Sequence, residues 1–183
     1  SNKKAGKSIS FDHGLQYFSS EHINFKKYLH RLIRKNILKY WEGNHIDFTF
    51  EKKIASKKII GVRGNNDFNK YLLKNINKTL GQEIVSIKFK NTYWEISSKN
   101  YTFKAKSIII TFPFEQVKKL ARKYLTQSFL NQKIKMSPNI TLLVKQKSKR
   151  KIPISSIKFN NRVITWAANE NSKNRFLSNK SYW

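Results

Sequence analysis

The sequence predicts an α+β fold with a mostly antiparallel sheet and flanking helices. Residues 23–41 carry apolar side chains at three- and four-residue spacing with basic side chains between them, as an amphipathic helix does. Three short strand-like segments follow one another between residues 83 and 104, separated by two-residue turns at 91–92 and 99–100. From residue 139 onward the pattern is again that of strands.

In the first part of the chain, the helix is expected to span residues 23–41 and to stop at Gly43. Alternation at residues 45–50 predicts a short strand, and residues 57–62 form another extended segment. A second helix is expected over residues 68–80, with Gly81 as its stop. Candidate N-caps precede it and apolar residues mark its inner face: Asn65, Asn66 and Asp67, then Leu72, Leu73 and Ile76.

In the second part, strands are expected at residues 83–90, 93–98 and 101–104. The nearly continuous apolar run at 107–111 predicts a strand that is buried on both faces. Pro113 then opens a helix that runs to Leu125. Further strands are expected at 140–144, 153–159 and 162–168.

Composition limits the classes of protein that the chain can belong to. Its 183 residues suffice for a real hydrophobic core, and 25 aromatic residues argue against a disordered polymer. The absence of cysteine excludes disulfides and thiolate metal sites. No apolar run approaches the roughly 20 residues of a membrane span, and no signal peptide is recognised, so a cytoplasmic protein is expected. No metal site is expected, because His22, His30 and His45 lack ligand spacing.

The charge of +28 has two interpretations. A basic chain attracts nucleic acid, and a small basic nucleic-acid-binding protein without catalysis is the alternative function. However, 31 of the 38 basic residues are lysines spread evenly along the chain, and Lys, Asn and Ile share A/T-rich codons. We therefore expect only non-specific binding to nucleic acid, and a solvated hairpin loop at the densest run, 145–151.

Four stretches of the chain carry a family resemblance. The first is Asp12-His13-Gly14-Leu15-Gln16-Tyr17-Phe18, and the second is the Gly-rich loop at residues 61–68. The third spans the hairpin and apolar run at 83–113, and the fourth is Trp-Ala-Ala-Asn-Glu-Asn-Ser-Lys at 166–173. Together, in this order, they resemble the renalase-like flavoproteins, a branch of the FAD-dependent amine oxidase family. Arg63 stands where that family usually has Pro.

The resemblance implies roles for particular residues. A flavin contact near the isoalloxazine ring is implied for Gly14, Gln16, Tyr17 and Phe18. The backbone of Ile84, or of Val85 after a one-residue slip, would contact the adenine. The apolar run would end close to the flavin at Thr111, Phe112 and Pro113, and Trp166 would help to wall the substrate cavity. These segments are expected to converge in space.

The resemblance also implies an incomplete enzyme. The parent would be an FAD-dependent oxidoreductase that takes a hydride from an amine or a reduced nicotinamide-type small-molecule substrate. The Gly-x-Gly-x-x-Gly turn for the FAD pyrophosphate and the family's C-terminal Gly-Asp segment are not found in the chain. The chain alone is therefore expected to be inactive, to hold FAD weakly, and to self-associate through the exposed groove of the flavin domain.

Catalytic residues are left unassigned, because the flavin itself accepts the hydride. Asp12 with His13 could be an acid–base pair or a structural hydrogen-bonding pair, and the latter is favoured because no nucleophile is close in sequence. In the expected domain division, residues 1–19 and 61–112 form part of an FAD-binding domain. Residues 20–60 and 113–183 form a substrate-binding domain.

Overall fold

The computed structural model describes residues 11–49, 57–146, 152–176 and 180–183. Helices and short, mostly antiparallel sheets make up an α+β fold, which confirms the predicted class. The chain divides into two compact units. Unit 1 contains residues 1–76 and 140–183, and unit 2 contains residues 77–139.

The first helix of unit 1, α1, spans Ile23–Arg34 and is shorter than predicted. The Asn36 amide donates to Ile33 O (2.9 Å) and the Ile37 amide donates to Leu32 O (3.0 Å), while Asn36 has a left-handed φ of 55°. This is the hydrogen-bond pattern that ends many helices. The apolar spacing continued to Trp41 because the following strand faces the same interior.

Strand β1 (Leu38–Tyr40) pairs antiparallel with β3 (Ile59–Gly61), and Phe18 bridges to Ile59 beside them. Strand β2 (His45–Asp47) lies between these two in sequence. The core of this region is a cluster of buried side chains from the helix and the strand pair: Leu29, Leu32, Leu38 and Ile59. The extended segment predicted at 57–62 is confirmed. The strand predicted at 45–50 ends at Asp47 and is followed by a turn at 48–49, and residue 50 lies outside the described residues.

The second helix, α2, spans Asn66–Leu72, much less than the predicted 68–80. The three apolar residues expected on its inner face are largely exposed: Leu72, Leu73 and Ile76. Asn65 occupies the N-cap position, but its side chain makes no cap hydrogen bond. Phe68 and Tyr71 pack against the core, but beyond them Leu72, Leu73 and Ile76 find no surface that buries them, so the helix ends at Leu72.

The rest of unit 1 is built from short strands. Strand β8 (Ser156–Lys158) pairs parallel with β2 and antiparallel with β9 (Trp166–Ala168), and a 3₁₀ turn follows at Glu170–Lys173. Strand β7 (Lys145–Gln146) pairs with β10 (Ser181–Tyr182). The strand predicted at 140–144 is not formed, and its apolar side chains are exposed. The predicted hairpin loop at 145–151 lies mostly outside the described residues.

Unit 2 is an antiparallel three-stranded sheet with helices. Strands β4 (Ile84–Lys90), β5 (Tyr93–Ser98) and β6 (Thr102–Ala105) pair in sequence order, as predicted. Helix α3 spans Phe114–Ala121, followed by a 3₁₀ turn at Arg122–Tyr124 and helix α4 at Gln127–Leu130. The hydroxyl of Tyr124 accepts a hydrogen bond from the Phe89 amide at 2.7 Å, which fixes the turn to β4.

The prediction of a buried strand at 107–111 is wrong. These residues pair with no strand of the described chain, and Ile109 is 93% exposed. An apolar run becomes a central strand only where neighbouring strands pair with it and cover both faces. Unit 2, within the described residues, supplies no such neighbours.

Candidate functional site

Three distant parts of the sequence meet in unit 1. The segment that holds Asp12 and Tyr17, the loop after β3, and the turn after β9 are joined by buried ion pairs and hydrogen bonds. We call the four charged residues at their junction the buried charge cluster: Asp12, Glu170, Lys173 and Arg175. The ring of Phe11 also packs against Phe176, with centroids 6.3 Å apart, so that apolar contacts flank the same junction.

Asp12 is the acceptor that ties the three parts together. Its carboxylate accepts hydrogen bonds from the Arg175 guanidinium, from Lys173 Nζ at 3.2 Å, and from the Asn65 amide at 3.0 Å. Burial pushes the pKa of Asp12 upward, but these bonds and the charges of Lys173 and Arg175 outweigh it and hold the pKa below its ordinary value. Asp12 is therefore a structural anion in an ion-pair network, but the structural pair expected between Asp12 and His13 is not formed within the described chain, where His13 is exposed.

Asn65 bridges the loop after β3 to the N-terminal segment. Its Oδ1 accepts from the Gly61 amide at 2.9 Å and from Arg175 Nη2 at 2.9 Å, while its Nδ2 donates to Leu15 O at 2.6 Å. A Cβ added to Gly61 would collide with the carbonyl oxygen of Gly64. Glycine at position 61 thus permits the tight loop that presents Asn65.

Lys173 and Glu170 form the most buried pair of the cluster. Lys173 Nζ lies 2.6 Å from Glu170 Oε1 and donates to Gln16 Oε1 at 3.0 Å. Glu170 Oε2 is buried without a hydrogen-bond partner among the described residues. Burial raises the pKa of Glu170, and the neighbouring Lys173 and Arg175 only partly offset that effect. Glu170 is thus the carboxyl of the cluster that takes up a proton most readily.

Beside the cluster lie three aromatic side chains that we call the aromatic wall: Tyr17, Trp41 and Trp166. The Tyr17 ring lies 5.6 Å from the Trp166 ring and 6.5 Å from the Trp41 ring, measured between centroids. Lys173 Nζ lies 5.0 Å from the centroid of Trp41, and Trp41 Nε1 donates to Ser172 Oγ at 2.9 Å. The wall and the cluster are therefore one continuous structure.

His45 packs against Trp41 of the aromatic wall. Its Nδ1 lies 2.7 Å from Ser156 Oγ and its Nε2 lies 3.0 Å from Trp41 O, while its ring meets the Trp41 ring edge-on at 4.8 Å. Burial lowers the pKa of His45, and the charge of Lys58 adds to the effect. His45 therefore packs as a neutral ring that positions Trp41.

The structure places the predicted site residues in both units. In unit 1, Gly14 is exposed with open space around it, Gln16 bonds to Lys173, and Tyr17 meets Trp166. Phe18 instead packs into the core, with its ring 5.2 Å from Phe68. The roles of these residues toward a flavin stay predictions.

The other predicted residues belong to unit 2. Ile84 pairs with Ser98 at the start of β4, and Val85 beside it is exposed. The three residues at the end of the apolar run are exposed: Thr111, Phe112 and Pro113. The predicted contacts of these residues with FAD stay predictions.

Sequence reasoning identified Asp12 but missed the other three residues of the buried charge cluster. Lys173 is the last residue of the fourth resembling stretch, so the motif itself was a signal for it, as for Glu170 within the same stretch. Arg175 lies just beyond that stretch and carried no signal of its own. In a chain with 38 basic residues, nothing marks the two that are buried.

The described part of the chain lacks two kinds of feature. Among these residues, no helix has both the length and the apolar character that crossing a membrane requires. Nor do the His, Asp and Glu side chains described here gather in a group of three that could hold a metal ion.

Comparison with known proteins gives a likeness of fold. No protein-family model and no curated protein matches the sequence. Among solved structures, the chain is similar to a putative protoporphyrinogen oxidase from Exiguobacterium sp. 255-15, with a TM-score of 0.50 and 13% sequence identity. The match covers 71% of this chain and 30% of that protein, so the chain spans less than a third of its length. The fold is thus similar to part of an oxidase.

Proposed function

We propose that the chain forms part of a flavin-dependent oxidoreductase of the renalase-like branch of the amine oxidases. The complete enzyme takes a hydride from an amine or a reduced nicotinamide-type substrate onto FAD. The observation that carries the proposal is the junction of three of the four resembling stretches, at residues 12–18, 61–68 and 166–173. Asp12 bonds to both of the others, through the Asn65 amide at 3.0 Å and Lys173 Nζ at 3.2 Å.

This junction adds weight that the short motifs lack individually. Matches that arise by chance have no reason to lie together in a fold, yet Asp12 and Lys173 are 161 positions apart and form a buried ion pair. The junction also orients residues 12–18, so that the Tyr17 ring contacts the Trp166 ring. The similarity of fold to an oxidase supports the same reaction class.

The residues of unit 1 fit one part of FAD. A flavin ring needs a flat, mostly apolar slot with few polar groups, and the aromatic wall offers the half-buried ring of Tyr17 for it, with Trp166 beside it at the substrate cavity. Trp166 Nε1 is buried without a hydrogen-bond partner among the described residues, and it would suit an acceptor atom of a ligand. When bound, FAD supplies the hydride acceptor, and the protein orients the substrate and excludes water.

The residues do not fit the pyrophosphate in the same way. No Gly-x-Gly-x-x-Gly turn occurs in the 183 residues, so the usual backbone amides at a helix N-terminus are not available. We therefore propose that this chain alone binds FAD weakly and is inactive. Contacts of Ile84 with the adenine and of Thr111, Phe112 and Pro113 with the flavin belong to this proposal, as does the division into FAD-binding and substrate-binding domains.

The test uses the four tryptophan indoles as position-specific probes. In NMR spectra assigned with Trp→Phe variants, millimolar FAD should shift the indole signal of Trp166. Trp94, which packs against Tyr124 in unit 2, serves as the internal control. ADP controls for attraction of phosphates to a basic chain. The proposal fails if FAD moves no indole, or if ADP reproduces the shift of Trp166.

A second readout addresses how tightly the cofactor is held. The purified chain should be colourless and lack flavin absorbance, because the pyrophosphate contacts are missing. A yellow preparation with one FAD per chain would contradict the proposal of weak binding and would require a different phosphate site.

A further inference from the structure

Lys58 is a half-buried cation on the aromatic wall. Its Nζ lies 5.2 Å from the centroid of the Tyr17 ring. Its backbone is fixed by a hydrogen bond of 2.8 Å from the Trp41 amide to Lys58 O. Among the described residues, no hydrogen bond or ion pair reaches Lys58 Nζ. Burial lowers the pKa of Lys58, with Asp47 acting in the opposite direction.

Three of the acidic residues near the wall are engaged in other contacts, whereas Glu42, next to Trp41 in sequence, is exposed. Asp12 and Glu170 are bound by Lys173 and Arg175 in the buried charge cluster. Asp47 lies 3.8 Å from Lys158 and accepts hydrogen bonds from Thr49.

Two ammonium groups thus border the same set of rings, with Lys58 over Tyr17 and Lys173 over Trp41. Of the two, Lys173 is neutralised by Glu170 at 2.6 Å, whereas Lys58 forms no ion pair with a carboxylate of the described chain and only the more distant charge of Asp47 acts on it.

We propose that Tyr17, Trp166 and Lys58 form a subsite for a planar aromatic ligand that carries one negative charge, such as a carboxylate. The rings would pack against the flat part of the ligand, and Lys58 Nζ would pair with its anion. As the substrate site of a flavoenzyme, the subsite rests on the proposed function and favours an anionic ring over an amine. As a binding site, it rests on these three side chains alone.

The physical reason is the sign of the Lys58 charge, which no ion pair within the described chain compensates. A cation removed partly from water gains most from an anionic partner in a low-dielectric setting. A ligand ammonium packed against Tyr17 would instead meet Lys58 as a like charge. Aromatic ligands of the same shape but different charge should therefore differ clearly in affinity for the subsite.

The experiment compares benzoate, benzyl alcohol and benzylamine, which share a ring and differ in charge. Each is titrated into the full chain while the Trp166 indole is followed by NMR. We expect benzoate to bind about fivefold or more tightly than benzylamine, the difference that one partly exposed ion pair supports. Equal binding of benzoate and benzylamine, tighter binding of benzylamine, or binding of none of the three would overturn the proposal.

Variants of Lys58 test whether its charge causes the preference for benzoate. Lys58→Gln should remove the preference for benzoate and leave binding of benzyl alcohol unchanged, while Lys58→Arg should keep the preference. The matched control is Lys57→Gln, because Lys57 is an exposed neighbour whose Nζ lies over Tyr40, 5.1 Å from the ring centroid. A benzoate preference that survives Lys58→Gln, in protein with parental melting, would show that another cation is responsible.

The FAD titration separates the two proposals. A preference for benzoate without an FAD effect on Trp166 would keep the anionic subsite and remove the flavoenzyme function. An FAD effect specific to Trp166 without a benzoate preference would do the reverse.

Discussion

The ammonium of Lys173 lies 2.6 Å from Glu170 Oε1, and the two side chains are 0% and 4% exposed. The same ammonium lies 3.2 Å from Asp12, far away in sequence. Buried charges are tolerated only when they are paired, so each member of this group depends on the others. The cluster therefore fixes the N-terminal segment against the turn after β9, and with it the geometry of the aromatic wall.

Replacing Lys173 by methionine should destabilise the protein strongly. Lys173→Met leaves Glu170 without its hydrogen-bonded partner in the interior and weakens the pairing of Asp12. The expected loss in the free energy of unfolding is about 3–5 kcal/mol, measured by urea denaturation. Lys118→Met is the control, because it removes a surface pair of the same i,i+3 spacing with Glu115, worth about 0–1 kcal/mol. Equal effects of the two variants would contradict a structural role for the cluster.

The two carboxyls of the cluster should give opposite dependences of stability on pH. The pKa of Asp12 lies below 3.8 in the folded state, so its contribution is present above that pH and is lost as the pH falls through the folded pKa. The pKa of Glu170 lies above 4.5, so its contribution is present below that pH and is lost as the pH rises through the folded pKa.

Denaturation series from about pH 3 to pH 7 test this assignment. Asp12→Asn should remove part of the acid-side loss of stability, and Glu170→Gln should remove part of the decline above pH 4.5. Parallel profiles for the parent and Glu170→Gln would show that Glu170 does not titrate differently in the two states.

Local sequence patterns predicted the elements whose stability is local. The hairpins β4 to β6 were found because alternation and two-residue turns are contained in one short stretch. The ends of α1 and α2 were not predicted. Apolar spacing does not show, for example, whether Ile37 belongs to the helix or to the turn that follows it. The run at 107–111 failed for a related reason, since burial of a strand depends on partners elsewhere in the chain.

Only part of the site was predicted, and the reason differs from that for the helices and strands. The meeting of Tyr17 and Trp166 followed from a resemblance in which Tyr17 lies near the flavin and Trp166 lines the adjoining substrate cavity. The burial of Lys173 and Arg175 could not be inferred, because lysine and arginine are normally solvated and only tertiary structure shows which ones are paired inside.

The exposure of Ile109 changes the effect expected of a charge there. As a central strand residue it would not tolerate Ile109→Asp, but at 93% exposure the variant should stay within about 0.5 kcal/mol of the parent. Ile87→Asp is the matched comparison in the same unit, since Ile87 in β4 is 5% exposed and should not accept an unpaired charge. Thermal melting measures both effects. Loss of folding in Ile109→Asp would contradict the exposure of Ile109 and support a buried strand at 107–111.

The apolar stretch before β7 is a second surface on which self-association is expected, apart from the groove of the flavin domain, which stays a prediction. Ile140 and Leu142 are 96% and 79% exposed, and contiguous apolar surface favours contact between copies. The double variant Ile140→Ser with Leu142→Ser should shift sedimentation toward the monomer. Leu80→Ser removes an exposed leucine from unit 2 and should leave the distribution unchanged. A parent that is monomeric at all concentrations would exclude this role.

The basic charge should bring only weak, sequence-indifferent binding to DNA. Unit 2 carries 12 of the 38 basic residues in 63 positions, and the other 120 positions carry 26, so the charge is spread over both units. Such binding has dissociation constants of roughly 0.1 mM to 1 µM at physiological salt and weakens steeply as salt is added, because released counterions drive it. Titrations of two unrelated duplexes should therefore agree, and polyaspartate should compete with both. A nanomolar preference for one oligonucleotide that survives added salt would instead require base contacts and would favour a nucleic-acid-binding function.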